Sequence, residues 1–250
     1  MGASDTIPLE NHVALITGGA RRVGAEMVRE LHAAGASVLI HYRSSAEAAS
    51  ALANELNRTR PRSAAIIEAD LREAEAPETL VAAALETFGR LDTLINNASS
   101  FYPTPIGTIT LAQWDDLLVS NLRAPLFLAQ AAAKALARQR GLILNIVDIH
   151  GLRPLKGYPV YSAAKAGLAM LTRSLARELG PEVRVNGIAP GPVLWPERPM
   201  NDALKLEIIG KTALKRHGSP ADIARTALFL IKDAPYITGQ IIAVDGGRSI

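Results

Sequence analysis

Short apolar runs alternate with longer helical patterns along this 250-residue chain, and that alternation restricts its fold more than any other feature. Within each run the apolar residues are continuous, which is typical of parallel strands covered on both faces. The sequence therefore predicts an α/β fold: a doubly wound, Rossmann-type parallel sheet of about seven strands with helices on both faces. Strands are predicted at residues 13–17, 37–41, 64–69, 93–96, 142–147, 184–188 and 240–244.

The segments between these strands carry helix start and stop signals. Gly35, Gly89 and Gly180 each follow a helical pattern, and the proline after Ser219 begins another. Pro125 lies inside the fourth pattern and predicts a kink there. Helices are predicted at residues 23–34, 46–59, 77–88, 111–138, 159–179 and 220–231.

The domain organisation follows from the unbroken pattern. No linker or repeat interrupts it, which predicts one dinucleotide-binding and catalytic domain over residues 1–250. We expect residues 1–11 to be flexible. We expect residues 190–205 to form a substrate loop, because residues 190–200 contain four prolines. The candidates in this loop for selecting the substrate are Trp195, Glu197 and Arg198.

Composition excludes several classes of protein. Apolar residues make up 48% of the chain and charged residues 20%, which is enough for a sizeable core and argues against disorder. The absence of cysteine excludes disulfide frameworks and thiolate catalysis. The 27 basic and 24 acidic residues give a net charge of +3 without a basic stripe, so no nucleic-acid partner is expected.

Location and metal content are predicted from further absences in the sequence. No apolar stretch approaches the ~18 residues that a membrane helix needs, and the first residues lack the apolar segment of a signal peptide. We therefore expect a cytoplasmic protein with no membrane partner. The five histidines are dispersed without metal-ligand spacing, so no metal is expected.

A glycine-rich turn over residues 17–24 follows the first predicted strand and leads into the first helix. The backbone N–H groups of such a turn and of the helix N-terminus face a pyrophosphate. A loop for ATP would need Lys-Ser or Lys-Thr after Gly24, where this chain has Ala25 and Glu26. We therefore expect the turn, including Gly18 and Val23, to bind a dinucleotide.

The residues after the second predicted strand indicate which dinucleotide is bound. An Asp or Glu at this point would bind the ribose 2′-hydroxyl of NAD. This chain instead has Arg43, Ser44 and Ser45, with no carboxylate before Glu47. A guanidinium and two hydroxyl groups suit a 2′-phosphate, which predicts NADPH as the cofactor. The alternative is that Arg43 is a solvated loop residue.

Tyr161 and Lys165 lie four residues apart near the start of a predicted helix, which puts them on one face of it. An ammonium beside a phenol favours the phenolate, so we expect the pKa of Tyr161 to lie below its ordinary value of ~10. A phenol of that kind donates a proton near neutral pH.

Together with the turn and the strand order, these two residues resemble the short-chain dehydrogenase/reductase family over essentially the whole chain. The resemblance implies that Tyr161 donates a proton, that Lys165 also holds the nicotinamide ribose, and that Asn121 supports a water relay. It also implies a homotetramer with the fourth and fifth predicted helices at an interface. Further matching residues, most of them implied in cofactor binding, are Asp70, Leu71, Asn96, Asn97, Ala98, Pro190, Gly191, Thr238-Gly239 and Asp245-Gly246-Gly247.

Two positions depart from the usual pattern of that family. Arg22 stands where glycine is usual, and Asp148 stands where serine is usual, thirteen residues before Tyr161. A serine hydroxyl donates a hydrogen bond to a ketone oxygen, whereas an ionised aspartate only accepts one. Asp148 therefore argues against ordinary ketone reduction and favours a substrate with N–H donors or a protonated ring.

Both departures resemble the pteridine reductase subgroup, as does the run of residues 96–105. In that subgroup the pterin ring lies between the nicotinamide and the phenylalanine that matches Phe101, a sound use of one exposed aromatic ring. The resemblance implies that Arg22 contacts the cofactor phosphate and the pterin, and that Ser99 contacts the cofactor or the substrate. It further implies that Asp148 and Tyr161 share the proton delivery.

Each of these residues also has a plainer interpretation. Phe101 can belong to a satellite core, Asp148 can cap a helix or loop, and Arg22 can be a solvated turn residue. Taken together, the sequence predicts an NADPH-dependent reductase of pterins, with folate-like substrates included. Two alternatives stay open: a carbonyl or 3-ketoacyl reductase of the same family, and a non-catalytic NADP(H)-binding module.

Overall fold

The computed structural model of the protein describes residues 7–195 and 200–250. They form one domain around a seven-stranded, all-parallel sheet in the order β3-β2-β1-β4-β5-β6-β7, with helices on both faces. The predicted Rossmann-type fold is therefore confirmed. In chain order the elements are β1 Val13–Ile16, α1 Arg22–Ala33, β2 Ser37–Tyr42, α2 Ala46–Thr59, β3 Ala64–Glu68, α3 Ala76–Phe88, β4 Thr93–Asn96, α4 Leu111–Leu118, α5 Ala124–Arg138, β5 Leu142–Ile146, α6 Pro159–Glu178, β6 Arg184–Pro190, α7 Asp202–Gly210, α8 Pro220–Lys232 and β7 Ile241–Val244.

The core lies in two layers, one on each face of the sheet. Successive residues of a strand point to opposite faces, so Leu15 packs with residues of α3 and α5 while Ile16 packs with residues of α1 and α8. Both side chains are fully buried. Burial on both faces explains why the strand sequences are continuously apolar.

The order of the strands fixes where a ligand binds. From β1 the sheet grows through β2 and β3 on one side and through β4 to β7 on the other. In sheets of this kind the ligand crevice lies beyond the carboxyl ends of the strands at the point where the order reverses, here between β1 and β4.

The predicted helix at residues 111–138 is divided in two, which corrects the sequence prediction. A π-helical turn, Val119–Arg123, separates α4 from α5, and Pro125 lies in the first turn of α5. Its missing N–H costs little there, because the first N–H groups of a helix have no partner within it. The irregularity is a widened turn before the proline, and it carries the buried Asn121.

The amino-terminal segment is packed where the structure describes it. Flexibility is predicted for residues 1–11, yet Leu9 is buried and the N–H of Ile7 donates to the carbonyl of Lys232 at 2.8 Å. Ile7 and Leu9 therefore pack against the domain, with Ile7 bonded to the end of α8.

The predicted substrate loop at residues 190–205 is partly regular. It contains the last residue of β6 and the start of α7, a helix that the sequence prediction missed. The side chain of Asn201 caps α7 by accepting from the N–H of Ala203 at 2.8 Å, so Asn201 was the signal for this helix. Glu197 and Arg198, two of the predicted selectors, lie outside the described residues.

Candidate active site

A cavity of about 440 Å³ opens between β1 and β4, at the point where the strand order reverses. Tyr161, Lys165, Pro190 and Gly191, which the sequence assigned to cofactor binding, do not contribute to its lining. The predicted cofactor residues that line it are Gly18, Arg22, Val23, Arg43, Ser44, Ser45, Asp70, Leu71, Asn97, Ala98 and Ser99.

The glycine turn is tied to the end of β4 by a network of hydrogen bonds. Thr17 Oγ1 accepts from the N–H groups of Asn97 and Ala98 at 2.9 and 3.0 Å, and Asn97 Nδ2 donates to the carbonyls of Thr17 and Gly18. A Cβ at Gly24 would lie 2.2 Å from the Gly18 carbonyl oxygen. The turn therefore needs glycine at position 24 to bring the backbone of α1 this close. The first N–H groups of α1 have no partner within the helix, and such groups suit a phosphate.

Arg22 occupies a strained position between the turn and the substrate side of the domain. Its φ is +55°, in the left-handed region where glycine is preferred. Its Nη2 donates to the carbonyl of Trp195 at 3.2 Å, and the Trp195 ring lies 4.3 Å from the ring of His217. Trp195, in the predicted substrate loop, is thus connected to the phosphate-binding turn.

His41 is a functional candidate that the sequence analysis missed. Its buried Nδ1 accepts from the N–H of Gly18 at 3.2 Å, which leaves Nε2 to donate to the carbonyl of Ala69 at 3.0 Å. Its own carbonyl accepts from the N–H of Gly19 at 3.0 Å. Burial lowers the pKa of His41, so the imidazole stays neutral and its Nδ1 keeps accepting. Its place at the end of β2, beside the turn, was the only sequence signal.

Tyr161 and Asp148 form the chemical centre of the site. The Tyr161 hydroxyl donates to Asp148 Oδ2 at 2.8 Å, while Asp148 Oδ1 accepts from the N–H of His150 at 2.8 Å. Asp148 thus caps the short 3₁₀ turn Ile149–Gly151 and also holds the phenol. The capping interpretation and the interpretation as a partner of Tyr161 are both compatible with this geometry.

The predicted fall in the pKa of Tyr161 is wrong. Burial raises this pKa well above its ordinary value, and the negative charge of Asp148 and its hydrogen bond raise it further. Lys165 does not reverse the effect: its Nζ donates to the Ile146 carbonyl at 2.8 Å and lies 5.8 Å from the centre of the Tyr161 ring. Burial lowers the pKa of Lys165 to about 8. In this arrangement the phenol holds its proton and faces a carboxylate.

Ser99 links the surroundings of Tyr161 to Asn121. The proximity of Ser99 lowers the pKa of Tyr161, by a smaller effect than that with which burial and Asp148 raise it. The Ser99 hydroxyl donates its one hydrogen to Asn121 Oδ1 at 2.6 Å. Asn121 Nδ2 in turn donates to the carbonyls of Ser100 and Leu117, both at 3.0 Å. The widened π-helical turn therefore orients Asn121 toward the cavity wall.

Phe101 presents an aromatic surface beside this chain. Its side chain is 47% exposed, which excludes the interpretation as a buried core residue. It stacks on Tyr158 with ring centres 4.8 Å apart and planes 12° apart, and it meets Tyr161 edge-on at 4.8 Å. Tyr158, at the N-terminus of α6, is the second residue that the sequence analysis missed; its spacing of three residues from Tyr161 was the available signal.

The remaining predicted site residues connect strand ends. The N–H of Gly191 donates to the carbonyl of Val244 at 3.0 Å, which ties the end of β6 next to Pro190 to the end of β7. A Cβ at Gly191 would lie 2.6 Å from the Cα of Asp245, so this close approach requires glycine. Within residues 7–195 and 200–250, no group of three or more His, Asp and Glu side chains is placed to hold a metal ion. None of the helices in those ranges has the length and apolar character needed to cross a bilayer.

The doubly wound sheet, with its cavity where the strand order reverses, gives the protein the Rossmann-type α/β architecture. A profile of the family described as Enoyl-(Acyl carrier protein) reductase matches residues 18–249. The chain belongs to the short-chain dehydrogenase/reductase family and is an oxidoreductase of that family.

Curated relatives include enzymes with different printed activities. Pteridine reductase 1 of Leishmania tarentolae is 39% identical over 291 aligned residues, covering 100% of this chain and 99% of that protein. The 3-oxoacyl-acyl-carrier-protein reductase FabG of Staphylococcus aureus is 35% identical, covering 94% of this chain and 96% of that protein. An uncharacterized oxidoreductase of Mycobacterium tuberculosis is also 35% identical, covering 97% and 94%.

Proposed function

We propose that this protein is an NADPH-dependent reductase of pterins, including folate-like dihydropterins. The observation that carries the proposal is the hydrogen bond between Asp148 and Tyr161 beside the exposed ring of Phe101. A carboxylate at this place suits a heterocycle with N–H donors better than a ketone, because an ionised carboxylate only accepts hydrogen bonds. The 39% identity to a pteridine reductase over the whole chain supports the same substrate class.

The residues of the cavity fit the proposed cofactor. The N-terminus of α1 offers N–H groups, and the turn before it needs glycine at position 24. Arg43, Ser44 and Ser45 supply a cation and two hydroxyls for a 2′-phosphate. When bound, NADPH supplies a hydride, which carries the electron pair for reducing a ring C=N bond. Lys165, fully buried next to Tyr161, would hold the ribose of the nicotinamide.

The residues of this chain would supply the proton and the orientation. Tyr161 holds its proton at neutral pH and would donate it to the ring nitrogen of the C=N bond. Asp148 would accept hydrogen bonds from N–H groups of the substrate, and Phe101 would stack on its planar ring. Asn121, which accepts from Ser99, would support a water relay that returns a proton to Tyr161.

The proposal extends to assembly and location. The family resemblance implies a homotetramer. The sequence, without an apolar membrane segment, leads us to expect it in the cytoplasm. The segments that the resemblance places at an interface form α4, α5 and α6, and each carries an exposed apolar side chain that supports the interface: Trp114, Phe127 and Met170.

The substrate class is tested by cofactor oxidation with three substrates side by side. We expect the purified protein to oxidise NADPH with 7,8-dihydrobiopterin and with dihydrofolate, but not with an acetoacetyl thioester, because Asp148 offers no hydrogen bond to a ketone oxygen. Loss of absorbance of the reduced cofactor measures the rate. Turnover of the thioester alone would assign the protein to the 3-oxoacyl reductases, and inactivity with all three would favour a cofactor-binding module.

Cofactor preference is tested separately. We expect kcat/KM to be higher with NADPH than with NADH. We expect Arg43→Ala to lower it roughly tenfold or more for NADPH only, because a charge-assisted bond to the 2′-phosphate is lost. Arg62→Ala, a change of an exposed arginine outside the cavity lining, is the matched control. Equal kcat/KM with both cofactors would refute the assignment of NADPH.

A further inference from the structure

Asp70 places a negative charge in a cavity that is proposed to bind an anion. It lines the same cavity as Arg43, Ser44 and Ser45, and the charge of Arg43 acts on the Asp70 carboxylate. A 2′-phosphate would be repelled by this carboxylate. It would also compete with the carboxylate for the guanidinium of Arg43.

Arg72 satisfies that carboxylate almost completely. Its Nε lies 3.0 Å from both Oδ1 and Oδ2 of Asp70, its Nη2 donates to Oδ2, and its backbone N–H donates to Oδ1 at 3.0 Å. The hydrogen bonds from Arg72 hold the pKa of Asp70 at about 2, with a smaller contribution from Arg43. Asp70 therefore stays ionised, and Arg72 is its main partner.

A hydrogen bond to its backbone holds Arg72 in place, while its side chain is largely exposed. Its carbonyl accepts from Arg123 Nη2 at 2.7 Å, at the end of the π-helical turn before α5. Its side chain is 54% exposed and lies on the cavity wall, near the carboxylate of Asp116. An exposed ion pair of this kind contributes little to folding stability. Replacing Arg72 should therefore change what the cavity binds more than how stably the domain folds.

We infer that Arg72 is a specificity-determining residue for a 2′-phosphorylated dinucleotide, because its positive charge balances the ionised carboxylate of Asp70 and leaves Arg43 available to the phosphate. The inference rests on the proposed use of NADPH. Arg72 acts through Asp70, so replacing Arg72 should weaken NADPH binding only while Asp70 keeps its charge.

The test is a binding titration of the full-length protein with NADPH and with NADH, without substrate. For Arg72→Gln we expect the Kd for NADPH to rise about tenfold and the Kd for NADH to change little, since only NADPH carries the 2′-phosphate. For Asp70→Asn we expect the preference for NADPH to be kept. The double variant Asp70→Asn with Arg72→Gln should regain that preference, because no carboxylate then competes for Arg43. Arg138→Gln, an exposed arginine outside the cavity lining, is the matched control.

The outcomes separate this inference from the proposed function. If the unmodified protein prefers NADPH and Arg72→Gln leaves the ratio of the two Kd values unchanged, the inference is wrong and the proposed cofactor stands. If the double variant keeps the reduced preference of Arg72→Gln, an effect through Asp70 is wrong. If the unmodified protein shows no preference, the proposed cofactor is wrong and the inference fails with it.

Discussion

Replacing Tyr161 with phenylalanine is expected to lower kcat for pterin reduction by about 10²–10⁴-fold and to leave NADPH binding nearly unchanged. The phenol is buried, donates to Asp148 at 2.8 Å and has a raised pKa, so at neutral pH it carries the proton that the reaction consumes. Phenylalanine keeps the ring that meets Phe101 edge-on and removes only the hydroxyl. Single-turnover rates and a cofactor titration separate the chemical step from binding.

The matched control for this variant is Tyr236→Phe. Tyr236 is fully exposed and lies outside the cavity lining, so the same loss of a hydroxyl should leave kcat as it is. If Tyr161→Phe kept the original kcat, another group would deliver the proton and the role given to Tyr161 would be wrong. If it lost NADPH binding to the same extent as kcat, Tyr161 would act mainly in holding the cofactor.

The fold was predictable because its signals are local. Continuous apolar runs mark strands buried on both faces, and glycines after helical patterns mark helix ends. All seven predicted strands and five of the six predicted helices therefore agree with the structure to within two residues. The π-helical turn at Val119–Arg123 has no such signal. It packs against α6, an element distant in the chain, and a pattern of single residues does not encode such a contact.

The candidate site was predictable in its membership and not in its electrostatics. Spacing on a helix places Lys165 next to Tyr161, but burial and the contact with Asp148 decide the direction of the Tyr161 pKa. Those two effects depend on distances across the sheet. The hydrogen bond from Gly18 to His41, which joins residues 23 apart in the chain, is of the same kind.

Replacing Asp148 with asparagine is expected to lower kcat/KM for pterins by about 10²–10³-fold, because it removes a charge aimed at the reacting group. The shape of the side chain is kept. Its second contact, with the N–H of His150, is kept as well, since asparagine caps helix N-termini about as well as aspartate. The variant should therefore fold normally, which a thermal melt checks, and steady-state rates with 7,8-dihydrobiopterin measure the effect.

The same variant has a predicted effect on pH dependence. The negative charge of Asp148 favours the protonated forms of both Tyr161 and Lys165 and so raises both pKa values. Without that charge both pKa values fall. Lys165 begins from a pKa of about 8, so its ammonium is lost at lower pH in the variant. We expect the alkaline limb of kcat/KM against pH to move to lower pH, while Tyr161 stays protonated over the measured range.

Asp148→Ser separates the charge of this residue from its hydrogen bonding. Serine also caps a helix N-terminus, and it restores the hydroxyl that is usual at this place in the family. We expect pterin reduction to stay low in this variant, because a serine hydroxyl supplies no negative charge to N–H groups of a pterin. We expect acetoacetyl thioester turnover to rise above that of the original protein, since a ketone oxygen gains a donor. If Asp148→Asn and Asp148→Ser both reduced pterins at the original rate with an unmoved alkaline limb, the carboxylate would be a cap alone and proton delivery would rest on Tyr161 without it.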